Sequence, residues 1–227
     1  MKNIMIATPA HNGLVNIPYT LSFATTFAKL QQHNIQLTPL IVRSGSLLVA
    51  ERNRIIQAFW ESECTHLLCI DADLGWPAEA VVAMLDQDKE FIGGCYPARD
   101  SANETKTFLF RPELTEDKKF IQDKHLLKMQ YIPAGFMLLS RSAIQKMRDK
   151  HKHLHYIPRS NLVNNPPEGY CFFNTEVYEG EFWGEDFVFC RLAREAGIDI
   201  WVDPLIQFEH AGTIGMFAEY LHENAGK

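Results

Sequence analysis

Over the first 95 residues, short apolar runs alternate with stretches of helical spacing. No other feature of the chain limits its fold as strongly. Residues 2–8 (KNIMIAT), 35–42 (IQLTPLIV), 65–70 (THLLCI) and 90–95 (EFIGGC) read as strands, with 18–33, 47–61 and 77–87 as helices between them. Pro9 is expected to halt the first strand, Pro39 counts against the middle of the second, and Pro77 suits a first helical turn. Such alternation predicts a mostly parallel sheet with helices on its faces. The pattern then breaks. Residues 99–125 are polar apart from Phe108, Leu109 and Phe110, and read as an insertion that forms a hairpin with 126–132. A strand (136–139) and helix (141–150) follow, then a long irregular stretch over 151–183 whose aromatics, Phe172 and Phe173 among them, are expected to stack on a ligand. A helix over 185–196 stopped by Gly197, a strand over 198–202 and a tail helix over 214–224 complete the reading.

Composition excludes several classes. With 227 residues the chain can bury a large core without disulfide staples. A net charge of −6 argues against a nucleic-acid coat, because phosphate backbones demand a basic face. The five cysteines (Cys64, Cys69, Cys95, Cys171, Cys190) are odd in number and lack C-x-x-C spacing, which favours free thiols in a reducing compartment. The apolar start is too short for a signal peptide and no run of 18 apolar residues occurs, so a soluble, cytoplasmic protein is expected.

Four groups of residues carry chemistry. Asp71-Ala72-Asp73 follows the apolar run 66–70, where open α/β sheets bind ligands, and two carboxylates so spaced can reach Mg²⁺ or Mn²⁺. Trp183-Gly184-Glu185-Asp186 begins a helix after the aromatic stretch. Its acids complement the helix dipole, and a carboxylate there can also take a proton from a hydroxyl. His210, in Phe208-Glu209-His210-Ala211-Gly212, is either a structural histidine or a further metal ligand. Thr8-Pro9-Ala10 ends the first strand, and Arg52 lies on the second helix, where it can oppose a carboxylate or phosphate. Two weaker features read as structural. Gly93-Gly94 suits close packing, and His151, His153 and His155 suit a solvated basic loop.

In order, IMIATPA, LLVAERNRII, THLLCIDADLGWP, FIGGCYP, YIPAGFMLLSR, FWGEDFVFCRLAREAG and FEHAG run from about residue 4 to 212. This series resembles the GT-A glycosyltransferases of the broad family-2-like kind, which include small stand-alone transferases of bacteria, phages and large DNA viruses. The resemblance implies one Rossmann-like GT-A domain over residues 1–227, with a nucleotide-binding half near 1–98 and an acceptor-side half near 99–227. It implies a hexosyltransferase-type enzyme that uses Mn²⁺ or Mg²⁺ and a nucleotide-sugar donor, UDP-linked, with inversion. Thr8, Pro9 and Ala10 would line the base, with Arg52 near it and near Asp71. Asp71 and Ala72 would contact the donor, and Asp73, His210 and Asp71 the metal. Ala134 and Gly135 would wall the donor sugar. Asp186 would be the general base, Glu185 would bind hydroxyls, and Trp183 and Gly184 would meet the acceptor. One departure is plain: where the family has a carboxylate after the second strand, this chain reads Val42-Arg43-Ser44-Gly45-Ser46. Two rivals remain at this level. One is a sugar nucleotidyltransferase, disfavoured because TPAHNGLVN has one Gly and no Lys or Arg. The other is a catalytically inactive carbohydrate-binding or interaction module. Acceptor and oligomeric state are not readable from the residues.

Overall fold

The computed structural model describes residues 2–44, 47–98, 107–158, 168–210 and 213–224. The alternating first half folds as its pattern requires: β1 (Asn3–His11), α1 (Ile17–Gln32), β2 (Gln36–Ser44), α2 (Leu48–Glu61), β3 (His66–Ile70), a short β4 (Leu74–Gly75), α3 (Ala78–Asp86) and β5 (Phe91–Gly93). β6 (Arg111–Pro112), β7 (Gln122–Asp123) and β8 (Leu126–Tyr131) come next. They are followed by β9 (Phe136–Ser140), α4 (Arg141–Lys150) and the small strands β10 (His155–Tyr156), β11 (Gly169–Tyr170), β12 (Glu176–Tyr178) and β13 (Glu181–Trp183). α5 (Glu185–Glu195), β14 (Ile200–Val202), β15 (Gln207–His210), β16 (Thr213–Met216) and α6 (Phe217–Glu223) end the described chain.

The main sheet has the order β2-β1-β3-β9-β5-β14-β8-β6, with β7 also on β8. Most of its strands share one direction, as expected for an α/β domain. β9 and β8 run against them: β9 pairs antiparallel with both β3 and β5, and β8 with β14. One apolar layer packs Ile4, Ile6, Leu68 and Ile70 against α1 and α3. The other packs Met5, Ala7, Leu67 and Cys69 with Ile55, Phe59 and Phe189 of α2 and α5. Strand residues therefore alternate between two buried faces, which is why these runs read as continuously apolar.

Three expectations need correction. β1 does not halt at Pro9 but continues to His11. Its pairing with β3 ends at Ala7, so beyond it only the β2 side needs backbone hydrogen bonds. Pro39 lies inside β2, which is tolerated because β2 is the edge strand. The 151–183 stretch is not irregular throughout. A 3₁₀ turn over Lys152–Leu154 and two small hairpins, β10–β11 and β12–β13, occupy its described parts. Phe172 and Phe173, expected among its ligand-stacking aromatics, are fully buried. Pro166-Pro167 and Gly212 lie outside the described residues, as do residues 99–106 of the polar insertion. The hairpin of that insertion with 126–132 is present as β7–β8, and Gly197 ends α5 with φ +76°, as a C′ glycine should.

Candidate active site

The site grows from the end of β3. The Asp71 N–H donates to the Gly135 carbonyl at 3.0 Å, which extends the β3–β9 ladder by one residue before the chain turns. The Leu74 N–H then closes onto the Asp71 carbonyl at 3.3 Å, and β4 pairs with β15 so that Leu74 faces His210. This turn brings Asp73 to His210, with Oδ2 3.3 Å from Nε2. The other ring nitrogen, Nδ1, lies 2.7 Å from the Pro97 carbonyl oxygen. A carbonyl only accepts, so Nδ1 carries the proton and Nε2 is the nitrogen turned to Asp73.

Arg52 of α2 reaches the same place from the opposite face. It is 4% exposed. One terminal nitrogen donates to Asp71 Oδ1 at 2.8 Å, the other to the Ala134 carbonyl at 3.0 Å, and Nε lies 3.8 Å from Glu185 Oε1. The guanidinium also sits 5.6 Å from the centre of the Phe173 ring. Burial opposes its charge, but the carboxylate of Asp71, followed by smaller contributions that include Glu185, lifts its pKa above the ordinary arginine value. Asn53, the next residue, is a clamp. Its amide donates to the Phe173 carbonyl at 2.8 Å and accepts the Phe173 N–H at 2.9 Å.

Tyr96 ties these groups together. Its hydroxyl accepts the Gly135 N–H at 3.0 Å and donates to Asp71 Oδ2 at 3.4 Å, while its ring meets His210 edge-on at 5.0 Å. Burial pushes the phenol well above its usual range. Gly135 is required here by space, because a Cβ would lie 2.2 Å from the Tyr96 hydroxyl and 2.4 Å from Asp71 Oδ2. Gly94 is similar, its Cβ falling 2.4 Å from Phe208, so the glycine pair packs closely as expected.

The fourth side is the start of α5. Gly184 is its N-cap, and Glu185 and Asp186 occupy its first turn. Asp186 accepts the Phe187 N–H at 2.9 Å. The helix dipole was expected to favour its charged form, yet its pKa is pushed up to about 6, by burial first and then by Glu185, against Arg52 and the backbone donors. Asp71, Tyr96, Ala98, Leu109, Pro133, Asp186 and His210 line one cavity of about 300 Å³.

Other expected residues fall elsewhere. Thr8 and Ala10 are fully buried, and the Thr8 hydroxyl is bonded to that of Tyr19 at 2.7 Å. The Ala72 carbonyl accepts the Asn16 N–H at 2.8 Å, binding the β1–α1 loop to the acidic turn. Trp183 is 6% exposed and packs on Tyr131 and Tyr178, so its ring faces the core. His151 is buried with Nε2 on the Leu192 carbonyl rather than solvated, whereas His153 and His155 are exposed as expected, His155 beside Glu168. Sequence reasoning missed Tyr96 and Asn53. Both stood inside quoted motifs, FIGGCYP and LLVAERNRII, but nothing in the spacing marked them.

Sheet and cavity together define a mostly parallel α/β domain with its acidic site at the carboxyl edge of the strands. No family model matches the chain, and no curated protein matches it. Among solved structures it is similar to GalNAc-T7 with UDP, GalNAc and Mn²⁺, at 12% identity and a TM-score of 0.43 over 92% of this chain and 44% of that one. It is also similar to residues 1–349 of TarS from S. aureus, at 14% identity and a TM-score of 0.38 over 89% of this chain and 58% of that one. HddC from Yersinia pseudotuberculosis aligns at 12% identity and a TM-score of 0.32 over 64% of this chain and 79% of that one. The chain thus spans less than half the length of the GalNAc-T7 chain. At these identities the likeness is one of fold outline. Among the described residues no helix is long and apolar enough to cross a membrane.

Proposed function

We propose that the chain is a metal-dependent glycosyltransferase of the hexosyltransferase type. It moves a sugar from a nucleoside-diphosphate sugar, UDP-linked, to an acceptor hydroxyl with inversion. One observation carries this reading. Asp71, Asp186 and His210 line one small cavity, Asp73 lies 3.3 Å from that histidine, and Asp71 and Glu185 both face the guanidinium of Arg52. A diphosphate entering such a site meets a surplus of negative charge, which a bound divalent cation offsets.

The donor set fits such an ion in type. Asp73 offers oxygen and His210 offers Nε2, with Nδ1 committed to Pro97 in the manner of metal-ligating histidines. Among the described residues no group of three or more His, Cys, Asp or Glu is placed to hold a metal alone, so donor phosphates complete the coordination. Both oxygens of Asp71 are engaged by Arg52 and Tyr96, which suits contact with the donor rather than sole ligation. When bound, Mn²⁺ or Mg²⁺ offsets charge on the departing diphosphate. Asp186, ionised above pH about 6, takes the proton of the acceptor hydroxyl as that oxygen attacks the sugar carbon. Glu185, held toward Arg52, binds sugar or acceptor hydroxyls. Ala134 and Gly135 supply the backbone wall, and Thr8, Pro9 and Ala10 back the base from the end of β1.

Calorimetric titration of UDP tests the reading. Affinity is expected to fall at least ~10-fold when Mn²⁺ is replaced by chelator, about 1.4 kcal/mol. Equal affinities remove the metal from the mechanism. Release of pyrophosphate from a nucleoside triphosphate and a sugar phosphate would make the protein a nucleotidyltransferase instead.

A further inference from the structure

After β5, three apolar residues stand together as Phe108-Leu109-Phe110. The two phenylalanines turn to α6. The Phe108 ring lies 5.5 Å from Phe217 and 4.9 Å from Tyr220, and the Phe110 ring 4.6 Å from Phe217. Phe217 is fully buried, and the Ala218 N–H ties α6 to the Pro204 carbonyl at 2.9 Å. The segment is extended, bridged to Pro97 at Phe108 and passing directly into β6. Extended chain turns alternate side chains to opposite sides, so Leu109 faces away from that aromatic anchor. It is 54% exposed and lines the cavity that also holds Asp71, Asp186 and His210.

One peptide group fixes this leucine relative to His210. The Pro97–Ala98 peptide is a rigid plane. Its carbonyl accepts from His210 Nδ1 at 2.7 Å, and its N–H donates to the Thr107 carbonyl at 2.7 Å. His210 and the segment bearing Leu109 therefore hang from the same unit.

A single exposed leucine is ordinary. This one has company, because Ala98 and Pro133 line the same cavity. That side has little to offer a hydroxyl. Pro133 has no N–H, and that of Ala98 is spent on Thr107. A hydroxyl brought against it would shed water for few partners, whereas a methyl group would bury apolar area. The cavity reaches both Asp71, assigned to the donor, and Asp186, assigned to the acceptor hydroxyl. Under the transferase reading, on which this inference rests, the transferred sugar lies between them.

We propose that Leu109, with Ala98 and Pro133, selects a transferred sugar that carries a methyl group, in an acetamido or a 6-deoxy substituent, over a fully hydroxylated hexose. Leu109 is the side chain that sets this specificity, since it alone of the three is exposed and is there for the sugar to cover.

Titration of the full chain in Mn²⁺ with UDP, UDP-glucose, UDP-N-acetylglucosamine and UDP-6-deoxyglucose is the test. UDP lacks the sugar and is the reference. One methyl-bearing sugar or both should bind ~10-fold tighter than UDP-glucose, and which does so identifies the substituent. Leu109→Asn should bring those affinities within about 3-fold of each other, with Tm and the affinity for UDP as in wild type. Leu109→Ala, which shortens the side chain without adding polarity, should keep part of the preference. Leu114 is exposed on the same insertion but does not line the cavity, so Leu114→Asn should leave the wild-type ratio intact. Wild-type chain that binds UDP-glucose as tightly as the other two sugars overturns the inference, as does a preference that survives Leu109→Asn. In both cases UDP still binds and the transferase reading stands. Loss of UDP itself in Leu109→Asn would set the leucine against the nucleotide and also overturn the inference. Wild-type chain that binds no UDP removes the transferase reading and this inference together.

Discussion

Each of two acid pairs places one member, Asp71 or Asp186, on the wall of one cavity, and the contrast between the pairs is instructive. The end of β3 supplies Asp71 and Asp73, and the start of α5 supplies Glu185 and Asp186. In each pair one member turns to Arg52, Asp71 at 2.8 Å and Glu185 at 3.8 Å. The other member has a different neighbour. Asp73 meets an imidazole at 3.3 Å, while Asp186 is buried beside a like charge that, with burial, lifts its pKa to about 6. In the function proposed above, the same side-chain chemistry serves cation binding at one end and proton transfer at the other. One buried arginine holds the two ends in register.

Removing that arginine should have the largest effect. Arg52→Met leaves Asp71 and Glu185 without their shared cation, and a loss of ~3–5 kcal/mol in urea unfolding is expected for a broken buried pair. A loss under about 1 kcal/mol would show that the two acid pairs are organised independently.

The next effect separates the members of the α5 pair. Asp186→Asn should lower turnover ~10²-fold or more, about 2.7 kcal/mol on the barrier, with donor affinity nearly unchanged. Glu185→Gln should weaken substrate binding more than chemistry. If Glu185→Gln is inactive and Asp186→Asn is not, the roles are exchanged.

Asp186 also links activity to stability. Its pKa is higher in the folded chain than in the unfolded one, so the native state holds the proton more tightly, and above pH 6 its ionised form costs stability. Asp186→Asn should therefore raise Tm at pH 8, by an unfolding free energy on the order of 1–3 kcal/mol or a few degrees. The gain should shrink as pH falls from about 6 toward the ordinary aspartate value and vanish below it. Wild-type turnover should rise through pH about 6 over the same window. A Tm gain independent of pH would disconnect it from ionisation.

The smallest expected effect concerns the β3 pair. With Mn²⁺ present, Asp73→Asn should weaken UDP binding ~10-fold more than Asp71→Asn, about 1.4 kcal/mol. The reverse order would make Asp71 the metal ligand.

The alternation of strand and helix was legible because β1, β3 and β5 are buried on both faces and read as unbroken apolar runs. Asp71 and Asp73 stood out because they end one such run. The antiparallel insertion of β9 between β3 and β5 was not legible, since strand order leaves no local signal. The nearness of Arg52 to Asp71, 19 positions away, came with the resemblance, but its meeting with Glu185, on an element from the far half of the chain, left no signal. Phe172 and Phe173 misled for a related reason. An aromatic pair without periodicity reads the same whether it faces a ligand or the core, and only the Asn53 clamp decides it.

That clamp bears on how the segment before α5 moves. With both backbone groups of Phe173 held by one buried amide, the chain there is fastened like a rope at a cleat. The Phe173 amide proton should exchange only when the core itself opens. The clamp divides the described parts of this stretch in two. On one side is the β10–β11 pair, and on the other the β12–β13 hairpin, whose turn at Glu179-Gly180 has positive φ at both residues. Strands β10 to β13 thus lie on either side of one fixed point, although they read as one stretch of sequence.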